Sequence, residues 1–439
     1  MKKTDSIMER VLELALKSVQ AAEVIMDDGE SRSIDFENNK LKYVDTHSGR
    51  QVGLRVINKG RIGFSGTTDL SRPELLVANA LASADFGQEA KFEFPAMGSY
   101  PKVKLFDKKV IAFPIADGIA MGQGAIDRIL AVRPGTQTGA GIGKSFGSRR
   151  LINSRGLDVR IQSTSFGIHV ETLWVRDSGL VDVGEGEGSH QIATDLMKHA
   201  DKVIRLLKLA EKEVKISTGP YPVIFTPKCI STMLSTFLIG ANGKLVQKGA
   251  SPLKGRLGER LADERISLWD NATLDFAPGS TPTDGEGTPC RPLPLIESGV
   301  LMNYYYDLQT AGMMNALSTG HAGRGSGSQP SPATTNILVR PGAAKFDDMV
   351  RGMKRGVLVD QVLGGGQSNL LAGYVSVNVD VGFLVENGEI VGRVKDCMLA
   401  CNVFDAFKRV MAVADTPEWH GALYAPAVQF DAINIAGAP

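Results

Sequence analysis

The 439-residue sequence is short of the side chains that most hydrolytic and redox enzymes depend on. It carries six histidines, four cysteines and three tryptophans. Cys229, Cys290, Cys397 and Cys401 are too few and too scattered for the disulfide framework of a secreted domain. No apolar run approaches the roughly 20 residues that span a bilayer. Met1 to Asp5 leads straight into charged helical sequence, without the apolar segment of a signal peptide. A reducing cytoplasm is therefore the expected compartment. Excess charge of one sign is missing too: 49 basic residues stand against 48 acidic ones, a net charge of +1. That balance argues against nucleic-acid binding by bulk electrostatics and against a polybasic membrane anchor.

What is present suits a large two-lobed globular chain, with 43% apolar and 22% charged residues. Residues 5–22 carry Met8, Val11, Leu12, Ala15 and Val19 at helical spacing, and Asp27-Asp28-Gly29 breaks that pattern. Asn58-Lys59-Gly60 joins two alternating stretches and predicts a hairpin. Ser71-Arg72-Pro73-Glu74 predicts a capping box, and further helices are expected near 116–131 and over 191–214, the latter the longest. Residues 182–189 read as a loop. Beyond Tyr221 the texture is β, with hairpin turns at 297–299 and 386–388. Strands, hairpins and helices interleave without βαβ order, so the expected class is α+β. The expected organisation is an N-terminal α+β domain over 1–219 and a β-rich domain over 220–439, with mixed or antiparallel sheets and a long helix between the lobes.

Several motifs suggest chemistry and fail on spacing. Gly139-Ala140-Gly141-Ile142-Gly143-Lys144-Ser145 has Thr138 where a phosphate-binding loop needs its first glycine, so a flexible glycine loop is expected. Gly320 to Ser328 is glycine-rich and reads either as a mobile surface loop or as a lid. His190 and His199, nine residues apart, would face opposite ways on one helix. His169 and Glu171 share a face of a strand, which makes His169, Glu171 and His190 the one nonstandard ligand set worth testing. Cys397 and Cys401 lack the CxxC spacing of zinc or thiol redox chemistry.

A set of ordered motifs does carry a resemblance. Lys248-Gly249-Ala250-Ser251, Gly255-Arg256-Leu257-Gly258-Glu259-Arg260, Asp284-Gly285-Glu286-Gly287-Thr288-Pro289 and Glu297-Ser298-Gly299 are four of them. Tyr306-Asp307, Pro330-Ser331-Pro332, Gly364-Gly365-Gly366-Gln367 and Glu386-Asn387-Gly388 continue the series, with Gly53-Leu54-Arg55-Val56 and Gly63-Phe64 near the N-terminus. In this order they resemble the TldD/PmbA family, also called modulators of DNA gyrase, over essentially the whole chain. In that family the TldD-type subunit looks like a zinc metallopeptidase, with ligands on an HExxxH helix and a cysteine near the C-terminus.

Counting back from the shared Gly255–Arg260 block places that motif on Leu234, Ser235 and Ile239. Two aliphatics and a hydroxyl stand where the histidines and glutamate belong, and no cysteine follows Asn402. The resemblance therefore implies a PmbA (TldE)-type subunit without catalytic or metal residues of its own. Zinc would sit in a TldD-type partner, and the pair would cleave unfolded peptides. His321, Arg324, Gly364, Gly365, Gly366 and Gln367 are the implied lining of a peptide cavity. The alternative is a stand-alone homodimeric modulator or peptide-binding protein without peptidase activity.

Overall fold

Six antiparallel strands build the N-terminal lobe of the computed structural model, which describes residues 2–192, 195–365 and 368–437. They are β1 (Ala21–Glu37), β2 (Lys40–Asn58), β3 (Arg61–Thr67), β4 (Gln137–Asn153), β5 (Asp158–Arg176) and β6 (Gly179–Ser189), in the order β3-β2-β1-β4-β5-β6. At about 3.4 Å per residue, the 19 residues of β2 reach roughly 60 Å. Strict alternation makes one face of this sheet apolar in two separate patches. Val24, Met26, Val52 and Leu54 pack under α1 (Lys2–Leu16) and α2 (Pro73–Ala84). Farther along the same strands, Ile34, Phe36, Ile142 and Ile168 pack under α4 (Ile115–Val132) and α5 (Leu196–Leu209), with the short α3 (Lys108–Ala112) beside them.

The opposite face explains the glycine runs. Register aligns Gly49, Gly29 and Gly147 across β2, β1 and β4, and Gly143, Gly167 and Gly188 across β4, β5 and β6. Rows without side chains let a long sheet bend and admit close neighbours. The stretch Gly139 to Ser145 is thus the middle of β4 rather than a flexible loop. Ala140 and Ile142 alternate with its glycines, and that period of two marks a strand. Residues 182–189 are likewise strand, in β6, with Val181 and Val183 buried.

Other expectations are met or corrected locally. The turn at Asn58-Lys59-Gly60 closes the β2–β3 hairpin with positive φ of 48° and 75° at Lys59 and Gly60. Asp27-Asp28-Gly29 lies inside β1, because cross-strand pairing on both sides overrides its turn-like composition. The capping box does not form: Arg72 is the N-cap without a side-chain bond, and Pro73 opens α2. Helix α5 covers only 196–209, where Asp195 caps it, and the longest helix is α4 with 18 residues.

In the C-terminal lobe five strands close into a ring. Gly219–Phe225, Val428–Ala436, Met398–Asn402, Tyr374–Glu386 and Arg355–Leu363 pair in that order, and the last pairs back with the first. Closure leaves these strands no open edge. Val223, Phe225, Val357 and Val359 face one core with helix α6 (Ser231–Gly240), while Ile224 and Leu358 face the other way. That second core also contains Phe166, Ile168 and Val203, so it runs continuously from the N-terminal lobe into the C-terminal one. The class is α+β, as the interleaving of elements predicts.

Candidate functional site

Helix α6 is where a metal of the expected kind would have to be held. Thr226 accepts the first backbone bonds of the turn leading in, and the apolar run Met233, Leu234, Phe237 then fixes the helix on the C-terminal core. Leu234 is fully buried there, as a core leucine should be; Ile239 is only half-buried. The Ser235 hydroxyl donates to the Ser231 carbonyl at 2.8 Å, a bond within its own helix. Two soft donors at this helix are the Cys401 and Met233 sulfurs, 3.8 Å apart. Burial pushes the Cys401 thiol up to about 12, so it is no thiolate at neutral pH. Zinc needs three or four N, O or S donors converging on one point. Aliphatic side chains and an internally bonded hydroxyl do not fit that ion, and no cluster of three His, Cys, Asp or Glu among the described residues replaces them.

The other named residues are dispersed. His169 is exposed on β5, its ring above Gly141, and Glu171 lies beside Gly139 on the same face. His190 instead bonds the Thr164 carbonyl through Nδ1 at 2.5 Å. Thr164 is five residues from His169 along β5, about 17 Å at strand rise, so the three do not form one site. His190 also precedes α5, so it shares no helix with His199; the buried His199 faces Glu187 at 3.3 Å.

Gly364 and Gly365 are exposed at the end of strand Arg355–Leu363, whereas Gly366 and Gln367 lie outside the described residues. The segment Gly320 to Ser328 is anchored at His321, Arg324 and Ser326, with Gly325, Gly327 and Ser328 exposed between and after them. His321 is buried with Nδ1 on the Thr319 carbonyl at 2.9 Å and Nε2 3.5 Å from Asp270. Arg324 is buried against Glu23 at 2.8 Å. Ser326 sits so close to β2 that a Cβ on Gly53 would lie 2.0 Å from its carbonyl oxygen. Gly53 and Gly327 allow this close approach between lobes, since a Cβ on Gly327 would lie 2.4 Å from the Gln51 side chain.

That packing exposes a group of residues the sequence did not reveal as a unit. Arg55 of β2 bonds Glu286 at 2.5 Å and lies 3.1 Å from Glu23 of β1, and all three side chains are almost fully buried. The Arg55 guanidinium also stacks on Phe92 and Phe94, at 4.8 and 5.0 Å. Beside it, Asp284 receives three backbone N–H groups, from Glu286, Thr288 and Ala322. Its carboxyl is nevertheless raised to about 7, first by burial and then by the Glu286 charge. The Asp284–Pro289 motif therefore ties the two lobes together. Its signal was visible in sequence, but its partner Arg55 is 231 residues away.

These features define a two-lobed α+β protein built around a closed strand ring, whose metal-helix positions hold no metal donors. The profile of the PmbA/TldA metallopeptidase C-terminal domain matches residues 218–437, and that of domain 1 matches residues 22–84. The chain belongs to the PmbA/TldD metallopeptidase family. An uncharacterized protein of Methanocaldococcus jannaschii is 29% identical, over 96% of this chain and 98% of its own length. The metalloprotease PmbA homolog of Haemophilus influenzae is 27% identical, over 97% of this chain and 94% of its own. Among solved structures, TldE from Thermococcus kodakarensis superposes with a TM-score of 0.88 at 23% identity, over 98% of this chain and all of that one. A Thermotoga maritima protein described as a proposed modulator of a DNA gyrase reaches 0.90 at 23% identity, over 99% of this chain and all of its own. At that identity the likeness is one of fold.

Proposed function

We propose that this chain is a non-catalytic, TldE/PmbA-type subunit that works with a metal-bearing TldD-type subunit on unfolded peptides. The observation that carries the reading is α6, where Leu234, Ser235 and Ile239 stand in place of histidine, glutamate and histidine. Catalysis by a bound metal requires donors for the ion and a base for the water it activates, and this helix supplies neither. The zinc and the base come from the partner.

The free edge of β2 supports an assembly. Residues 40–50 are exposed throughout, and β3 pairs only from Val52 onward. Leu41, Tyr43 and Val44 remain more than 40% exposed on it. An unpaired edge of this length is a template for another strand, either a partner subunit's or an extended peptide's. The same edge suits a second copy of this chain, which is the homodimer reading.

Metal analysis and peptidase assay of the purified chain, alone and with a TldD-type subunit, test the proposal. Expected are no stoichiometric zinc and no activity alone, with activity appearing on mixing. Zinc at one equivalent with cleavage by the isolated chain overturns it. A stable homodimer that neither binds nor activates a metal-bearing relative favours the modulator reading instead.

A further inference from the structure

A cavity of about 340 Å³ lies between α5 and the outer wall of the C-terminal ring. It is separate from α6. In strand Arg355–Leu363, Val357 and Val359 point to the core that holds α6, whereas Leu358 and Asp360 point to this cavity. Leu206 and Leu209 of α5, with Phe346 and Leu358, form apolar walls. This size falls at the small end of ligand pockets, which are mostly apolar with a few converging polar groups.

The polar groups are unevenly distributed. On the floor, the Lys228 ammonium donates to Glu185 at 2.9 Å and to the Gly184 carbonyl at 3.1 Å, and lies 2.6 Å from Asp360. Its three protons are thereby committed. Two buried carboxylates share one ammonium, so the floor keeps one net negative charge. The Thr226 hydroxyl has no hydrogen-bond partner, although it is shielded from solvent. Buried polar atoms in that state are costly unless something satisfies them. Elsewhere in the lining, Lys202 is neutralised by Glu418 at 2.5 Å. Burial lowers the His420 pKa and keeps its ring neutral. Arg205, exposed on α5, has no carboxylate partner among the described residues. The cavity is therefore anionic at its floor, apolar along its walls and cationic at its mouth.

We propose that this cavity binds a small zwitterion with an apolar body, namely a free apolar α-amino acid. Its ammonium meets Asp360 and Thr226, its side chain lies along Leu206, Leu209 and Phe346, and its carboxylate meets Arg205. The site stands independently of the subunit assignment, because none of its residues belongs to α6 or to the β2 edge.

Calorimetric titration of the full chain with L-leucine, isoamylamine and 4-methylpentanoate tests this. The last two keep the apolar body and lack the carboxylate and the amine in turn. Leucine should bind, and each truncated compound should bind at least about tenfold more weakly. Arg205→Ala, on an exposed position, should weaken leucine severalfold and leave isoamylamine unchanged. Asp360→Asn should weaken both amines. No leucine binding tighter than about 1 mM overturns the proposal. So does 4-methylpentanoate binding as well as leucine, because the acidic floor would then play no part. If Asp360→Asn does not fold, the Arg205→Ala comparison still decides.

Discussion

Removing the Glu286 carboxylate tests how the lobes are held. In the native chain two guanidiniums, Arg55 and Arg324, are buried with two carboxylates, Glu23 and Glu286. Glu286→Ala takes from Arg55 its closest carboxylate and leaves Glu23 to be shared by two guanidiniums in a place with almost no solvent. It also removes the acceptor of the Leu308 N–H, which bonds Glu286 at 2.7 Å. Breaking a buried pair from one side costs about 3–5 kcal/mol. That is a large share of the roughly 5–15 kcal/mol by which proteins are stable. Urea unfolding followed by circular dichroism measures it. The decisive comparison is the double variant Arg55→Met/Glu286→Ala, which removes both partners and leaves Arg324 with Glu23 to itself. The double variant should be more stable than Glu286→Ala alone. The reasoning is refuted if Glu286→Ala costs under about 1 kcal/mol, as a surface pair would. It is equally refuted if the two substitutions simply add.

The same region should shape the pH dependence. Asp284 is raised to about 7 in the fold, against about 3.9 in an unfolded chain. Between those values the native state holds the extra proton, so this contribution is fully present below about pH 4 and lost as pH rises to 7. The stability difference between wild type and Asp284→Asn, measured by urea melts from pH 4 to 8, should narrow or reverse along that interval; a flat difference contradicts the assignment. Gly53→Ala should destabilise by at least about 1–3 kcal/mol, since its Cβ would meet a backbone oxygen. Gly143→Ala, with open space around its Cβ, should be neutral or mildly stabilising in the same urea melts. Burial raises all four cysteine thiols, Cys397 to about 11 and Cys401 to about 12. Iodoacetamide at pH 8 should therefore label the native chain slowly and the denatured chain at all four positions, with mass spectrometry as the readout; fast native labelling of Cys401 would contradict its burial.

Local pattern carried the sequence reading a long way. Leu234 and Ile239 offer a metal no donor atom whatever surrounds them, because a side chain's donor atoms are fixed by its identity. The Asn58-Lys59-Gly60 hairpin and helix α4 were legible for the same reason: turn geometry and helical spacing are properties of neighbouring residues. The readings that failed were those in which composition stood for structure. Glycines in β4 and β6 looked like loops, yet two flanking strands supply the hydrogen bonds that a glycine-rich stretch cannot supply itself. The Gly320–Ser328 segment looked mobile until Gly53 and Glu23, about 300 residues earlier in the chain, closed over it.

The sequence by itself determined the α+β class, the family and the identity of the side chains at 234, 235 and 239 of α6. Tertiary structure alone decided which charges are buried together and where a ligand could sit. Arg55 with Glu286, and Lys228 with Glu185, are pairs set by how two lobes dock. Electrostatic energy depends on distance and on exclusion of water, and neither can be read along a chain.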